Sequence, residues 1–178
     1  RQERAFWPQG QKTTAPLLFV GDARSELQSL TEGKLGRESV QRVITSPPYL
    51  GTYDYVSHHM RRYAWLGIDP TPIERDGMAA RRQSLPLRKR LERHEGDTWN
   101  WLSAVERLLQ RGGLCFVLVG DSVVEETLVN GAAPIRRAAE STQLQVVAEA
   151  SVERPHAIRT AHPLPPRREH LLLLRRPD

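Results

Sequence analysis

The stretch Gly112-Gly113-Leu114-Cys115-Phe116-Val117-Leu118-Val119-Gly120-Asp121-Ser122 sets six consecutive apolar residues between glycines. A run that short, closed on both sides by turn residues, predicts a strand buried on both faces at the centre of a parallel sheet. Just before it, Leu102, Val105, Leu108 and Leu109 recur at helical spacing between Trp99 and Arg111, and Gly112-Gly113 ends that helix. Helix, glycine turn and apolar strand in that order belong to a βαβ crossover, and so to an α/β protein. Beyond it, 132–142 reads as a helix with Pro134 in the first turn, where a missing N–H costs little. Residues 145–152 and 169–174 read as two final strands. The single cysteine, Cys115, lies inside the apolar strand as a small buried hydrophobe, so neither a disulfide framework nor a zinc site can be assembled from it.

Working toward the amino terminus, Leu17-Leu18-Phe19-Val20 is a short apolar run closed by Gly21-Asp22-Ala23, and a polar helix is predicted to start near Ser25. This places an acid at the carboxyl end of a strand, the edge at which open α/β sheets bind ligands. Asp22 is equally suited to cap the helix. A second run, Val43-Ile44-Thr45, delivers Ser46-Pro47-Pro48-Tyr49. Two prolines fix φ at successive positions and remove two backbone donors, so the carbonyls there face outward as ready acceptors for an amino group. Tyr49 offers a π face to a planar heterocycle. A nucleobase with an exocyclic amine fits both features; so does an ordinary strand-ending turn with Tyr49 packed inward.

Thr45-Ser46-Pro47-Pro48-Tyr49 and its preceding strand resemble the catalytic motif of the S-adenosylmethionine-dependent amino-methyltransferases, which methylate exocyclic amines of nucleic-acid bases. Gly21-Asp22-Ala23, the Tyr53-Asp54-Tyr55 and Trp65-Leu66-Gly67 segments after the turn, and the strand after Gly113 follow the family's order. The resemblance implies a Rossmann-like methyltransferase sheet, mostly parallel with an antiparallel final strand pair. It implies that Ser46 and the Pro47 carbonyl bond the amine, that Pro48 stiffens the corner and that Tyr49 stacks on the base. Asp22, Ala23 and Ser46 fall on the cofactor side, Asp22 as an acceptor for the adenine amine. The serine form looks most like cytosine-N4 DNA methylases, whereas aspartate or asparagine is commoner in adenine-N6 enzymes. RNA or tRNA base methylation, and an inactive methylase-like nucleic-acid-binding module, are the alternatives. One departure stands out: no aromatic-x-Gly-x-Gly cofactor loop is found, so a partial domain is expected, with a neighbouring segment or subunit supplying that loop.

The formal charge is +5, and only Lys12, Lys34 and Lys89 among the 26 basic residues are lysines. Arginine makes bidentate contacts to phosphate and guanine edges, which suits DNA or RNA as partner. Val56, Met60, Tyr63 and Leu66 predict a helix ended by Gly67, whose other side carries His58, His59, Arg61 and Arg62 as phosphate contacts or as a solvated face. Candidate nucleic-acid contacts are Tyr53, Arg61, Arg62, Arg81, Arg82, Arg88, Lys89 and Arg90, the last five in an irregular insertion over 68–97. The length fits one domain over 17–178, preceded by an arm over 1–16. No apolar stretch is long enough to span a bilayer and no signal peptide is seen, which predicts a cytoplasmic protein. His156 and His162 have no metal-site spacing, and no metal is expected.

Overall fold

The Val40–Thr45 strand is the edge on which the candidate site is built, and it exists because a β-branched, extended run finds a parallel partner in the apolar strand. The computed structural model describes residues 16–19, 21–33, 35–51, 55–77, 85–154 and 166–178. In chain order the elements are α1 (Ala23–Glu32), β1 (Val40–Thr45), α2 (Tyr55–Leu66), α3 (Thr71–Asp76), α4 (Leu87–Leu108), β2 (Leu109–Gly120), β3 (Ser122–Val124), β4 (Thr127–Val129), α5 (Ala132–Glu140), β5 (Gln145–Arg154) and β6 (Arg167–Arg175). The main sheet runs β1-β2-β6-β5, and β3-β4 is a separate hairpin.

Mixed α/β architecture and the antiparallel pair β5-β6 match the sequence expectation; the proportion of parallel strands does not. Among the described residues only β1 and β2 pair in parallel, while β2-β6 and β5-β6 are antiparallel. The difference arises at residues 17–20. Residues 16–19 form no strand, with Leu17 71% and Leu18 88% exposed, and Val20 lies outside the described residues.

The main core joins β2, β6, α4 and α5. From β2 it takes Cys115, Val117 and Val119, from β6 Leu172 and Leu174, from α4 Trp101, Leu102 and Val105, and from α5 Ile135, Ala138 and Ala139. Burying each larger side chain contributes about 1.5–3 kcal/mol. Burial also pushes the Cys115 thiol up to about 12, which makes it inert.

The expected insertion over 68–97 is corrected in its second half. Residues 87–97 open α4, a helix of 22 residues, because one face of that segment (Arg90, His94, Asp97) is buried. The helix stops at Leu108, not Arg111, since Leu109 pairs with Val40 and enters the sheet. The register then shifts between Val40 and Arg42, and Gly112, at φ 70°, takes up the extra residues as only glycine does readily. The expected arm falls mostly on residues 1–15, outside the described residues.

Asp121 clamps the carboxyl end of β2. Its Oδ1 accepts from Gly131 N at 3.0 Å and from His170 Nε2 at 2.9 Å, and its Oδ2 accepts from Arg168 N at 3.0 Å. An ionised carboxylate only accepts, so the His170 proton sits on Nε2; in the neutral ring Nδ1 then accepts from Ser151 Oγ, 2.8 Å away. Burial raises the Asp121 carboxyl, but His170, Gly131 and Arg168 outweigh it and hold the group net below its ordinary value. Its stabilising contribution is therefore complete above the unfolded carboxyl range near pH 4 and is lost as pH falls through the folded value. Asp121→Ala is expected to lower the unfolding free energy in urea at pH 7 by about 2–4 kcal/mol, with the difference from wild type shrinking on acidification below about pH 4.

Candidate active site

The proline turn leaves β1 at Thr45 and projects past the carboxyl end of the sheet. Ser46 is exposed, Pro47, Pro48 and Tyr49 are half-buried, and Leu50 is buried. Tyr49 packs against the main core without being sealed in it. Its ring lies on Gly120: a Cβ there would stand 2.7 Å from Tyr49 Cε2 and 3.1 Å from Cδ2. Gly120 is thus required by close approach of the aromatic ring, a role the sequence did not reveal. Leu50 joins Val124 in a small second cluster, which ties the end of the turn to the β3-β4 hairpin.

A cavity of about 800 Å3 opens beside the prolines. Ser46, Pro47 and Pro48 line one wall, Gly21, Asp22, Ala23 and Arg24 another, and Leu27, Val43, Trp101 and Val105 the apolar floor. Two segments more than 20 residues apart in sequence, Gly21-Asp22-Ala23 and Ser46-Pro47-Pro48, therefore share one cleft at the strand-end edge. Tyr49 is not part of that lining; it braces the turn from the side of β2.

Asp22 caps α1, its Oδ1 accepting from Arg24 N at 2.9 Å, as Asp does well at this position. The Arg24 side chain also grips both Asp22 oxygens through Nε, at 3.0 and 3.1 Å, and reaches Asp97 Oδ1 on α4 at 2.9 Å. The Arg24 guanidinium holds the Asp22 carboxyl below the usual carboxylate range, and Asp22, then Asp97, hold Arg24 charged. The cavity rim is thus an ionised acid already engaged by a cation. Inside, Trp101 is 5% exposed and its Nε1 has no acceptor among the described residues.

The basic candidates separate by position. Arg61 and Arg62 are exposed on α2, with Arg62 Nη1 3.2 Å from His59 Nδ1. Arg88 and Lys89 are exposed and bond Glu92 at 2.9 and 3.1 Å. Arg90 turns inward: it is 6% exposed, lies under the turn with Nη2 3.0 Å from where a Cβ of Gly51 would be, and pairs with Glu125 at 3.6 Å. Tyr53, Arg81 and Arg82 lie outside the described residues. Met60 and Leu66 on α2 are exposed, against the apolar face that their spacing suggests, while Val56 is buried and Tyr63 half-buried; Trp65 is exposed as well. Among the described residues no three His, Cys, Asp or Glu groups converge as metal ligands, and no helix is long and apolar enough to cross a membrane.

No family model matches the sequence, and no curated protein matches it. Solved structures do. TTHA0409, a "putative DNA modification methylase" of Thermus thermophilus, superimposes with a TM-score of 0.51 at 23% identity over 89% of this chain and 53% of that one. The same protein complexed with S-adenosyl-L-methionine gives a TM-score of 0.55 at 21% identity, over 89% and 52%. The fold is shared. This chain spans about half the length of the structures it matches.

The Tyr49-Gly120 contact has a direct consequence. Gly120→Ala is expected to cost about 1–3 kcal/mol by overpacking, and Tyr49→Ala in the same chain to relieve part of that cost. A double-mutant cycle by urea unfolding should show coupling of about 1 kcal/mol or more between the two positions; additive effects would mean that the ring does not rest there.

Proposed function

We propose that this chain is the catalytic portion of an S-adenosylmethionine-dependent methyltransferase acting on an exocyclic base amine in DNA, at cytosine N4 or adenine N6. The observation that carries this reading is the common cleft of Ser46-Pro47-Pro48 and Gly21-Asp22-Ala23. The serine at position 46 favours cytosine N4. A base in duplex has to leave the stack to enter such a cleft, at a cost of about a few kcal/mol. A cytoplasmic location, expected from the sequence, suits such a substrate.

The residues present fit one end of the cofactor. Asp22 offers an ionised acceptor for the adenine amine beside the small Ala23, and the apolar floor suits an adenine ring. No glycine-rich loop is present for the other end, and we assign that part to a neighbouring segment or subunit in a completed Rossmann-like domain. When bound, S-adenosylmethionine supplies an electrophilic methyl group. The chain's own work is on the amine. Conjugation with the ring makes that nitrogen a poor nucleophile; Ser46 Oγ and the Pro47 carbonyl each accept one amine hydrogen and draw the nitrogen toward a pyramidal geometry. Pro48 keeps the corner stiff, so orientation rather than covalent catalysis supplies much of the rate. Tyr49, braced on Gly120, holds in place the turn that carries both acceptors.

In the complete enzyme, Ser46→Ala is expected to lower kcat about 100-fold or more, with the circular dichroism unchanged. Wild-type turnover in that variant would remove the assignment. Digestion of the methylated product to nucleosides identifies the modified base and separates DNA from RNA as substrate.

Arg61 and Arg62 are exposed on the helix that follows the turn and are assigned to backbone phosphates. Their joint replacement by alanine is expected to weaken DNA binding for all sequences alike and to reduce the slope of log K against log salt by about 1–2.

A further inference from the structure

Asp22, the acid assigned above to the adenine amine, has its acceptor sites taken by Arg24. Its Oδ1 accepts from Arg24 N at 2.9 Å and from Arg24 Nε at 3.0 Å. Its Oδ2 accepts from the same Nε at 3.1 Å and from Arg24 Nη2. A carboxylate offers about four lone-pair sites over its two oxygens, so this set of contacts leaves none open to an incoming N–H. The rim acid has to lose a donor before it can take an amine.

Asp97, one helix turn before Trp101 on α4, is in the opposite condition. It is 9% exposed, and its Oδ1 accepts from Arg24 Nη1 at 2.9 Å. Its Oδ2 is shut off from solvent and has no partner among the described residues. A buried carboxylate oxygen without a donor bears its full desolvation cost, and folded proteins seldom keep one that no state of the molecule satisfies.

One guanidinium joins the acid with too many donors to the acid with too few. Arg24 meets Asp22 with Nε and Nη2 and Asp97 with Nη1 alone. Its planar fork is suited to two parallel bonds with one carboxylate. A short movement toward α4 sets Nη1 and Nη2 on the two Asp97 oxygens and withdraws Nη2 from Asp22 Oδ2. The Arg24 backbone N–H stays on Asp22 Oδ1, so the acid keeps its place as the cap of α1 while its second oxygen opens. Asp22 first, and Asp97 after it, hold the Arg24 pKa above its ordinary value, so the cation keeps its charge against either acid.

We propose that Arg24 is a two-seat latch on the cofactor side of the cleft: it sits on Asp22 in this structure and moves onto Asp97 as Asp22 accepts an amine. Asp97, which is not part of the cavity lining, is the positioning residue that supplies the second seat. The latch selects for a ring that bears an amine, because a carbonyl or a bare C–H at that position gives Asp22 no donor to replace Arg24. The inference rests on the reading of Asp22 as the acceptor for the adenine amine.

The test is calorimetry on the complete gene product, or the complex that purifies with it, using adenosine, purine riboside, which lacks only the amine, and S-adenosylmethionine. Asp97→Asn turns a donor toward Arg24 and removes the second seat. Adenosine affinity is expected to fall about 10-fold in that variant, and purine riboside affinity by less than about twofold. Arg24→Met combined with Asp97→Asn removes both charges together, so that neither is left buried alone. That double variant opens Asp22 permanently and is expected to bind adenosine at least as tightly as wild type. An Arg24 that merely held Asp22 in place would give the reverse. Adenosine binding weaker than wild type in the double variant overturns the latch, as does an Asp97→Asn variant that keeps wild-type affinity or loses both nucleosides equally. Should Asp97→Asn alone fail to fold by circular dichroism, the double variant against wild type decides. The expected adenosine pattern without heat from S-adenosylmethionine sinks the methyltransferase alone. Heat from S-adenosylmethionine without that pattern sinks the latch alone, and no heat from any of the three sinks both.

Discussion

The parallel pairing of β1 with β2 is the constraint from which the site follows. Val43 beside Cys115, Ile44 beside Phe116 and Thr45 beside Val117 fix the height at which the chain leaves the sheet. A slip of one residue would turn Val43 and Thr45 to the opposite face and Ile44 into the core. It would also lift Tyr49 off Gly120. The turn is rigid through its two prolines, but its placement is owed to the ladder beneath it and to a glycine at the end of the neighbouring strand. Chemistry that depends on orientation needs both.

Charge is arranged around that turn in two ways. Arg24 and Arg90 are drawn inward and each meets an acid from another element, Asp97 and Glu125 respectively. Arg88, Lys89, Arg61 and Arg62 remain at the surface, where ion pairs contribute little to stability and charge stays available to a polyanion. The inward set carries a desolvation cost. Arg90, His94, Asp97 and Trp101 follow one another at helical spacing along the buried side of α4, and each has one polar atom without a partner among the described residues. Burial lowers the His94 pKa, so that ring stays neutral and adds no second charge to the seam. A helix that hid four such groups for packing alone would be better built from leucine. Their position behind the turn, with Trp101 reaching the cavity, ties that cost to the site.

Much of this was legible from residue order, and what was not has physical causes. β2, the antiparallel final strands, α5 with Pro134 near its start and the helix stop at Gly67 all carry local signals, and they stand within a few residues of their predicted places. That Gly21-Asp22-Ala23 and Ser46-Pro47-Pro48 line one cleft agrees with what the family resemblance implied, which set Asp22, Ala23 and Ser46 on one side. The first half of α4 was not: Arg88, Lys89, Arg90, Glu92 and Arg93 look like a solvated stretch, and only tertiary contact makes that side of the helix an interior one. The same holds for Arg90, indistinguishable from its basic neighbours until its burial is seen. Gly120 looked like the end of a strand, and its closeness to Tyr49 involves residues 71 positions apart that no periodicity connects.

The strand prediction at 17–20 shows why such gaps occur. Leucine, leucine, phenylalanine and valine satisfy every local criterion for a strand, yet a strand is a relation between two chains and not a property of one. β2 forms because β1 and β6 offer ladders on both sides; residues 16–19 are assigned to no strand, and Leu17 and Leu18 stand in solvent. The apolar pattern nevertheless carries information. The sequence also specifies apolar residues that the described fold leaves exposed, at Leu17 and Leu18 as at Ile44 and Leu171. Of these, Ile44 lies on β1 beside the cleft that holds the proline turn.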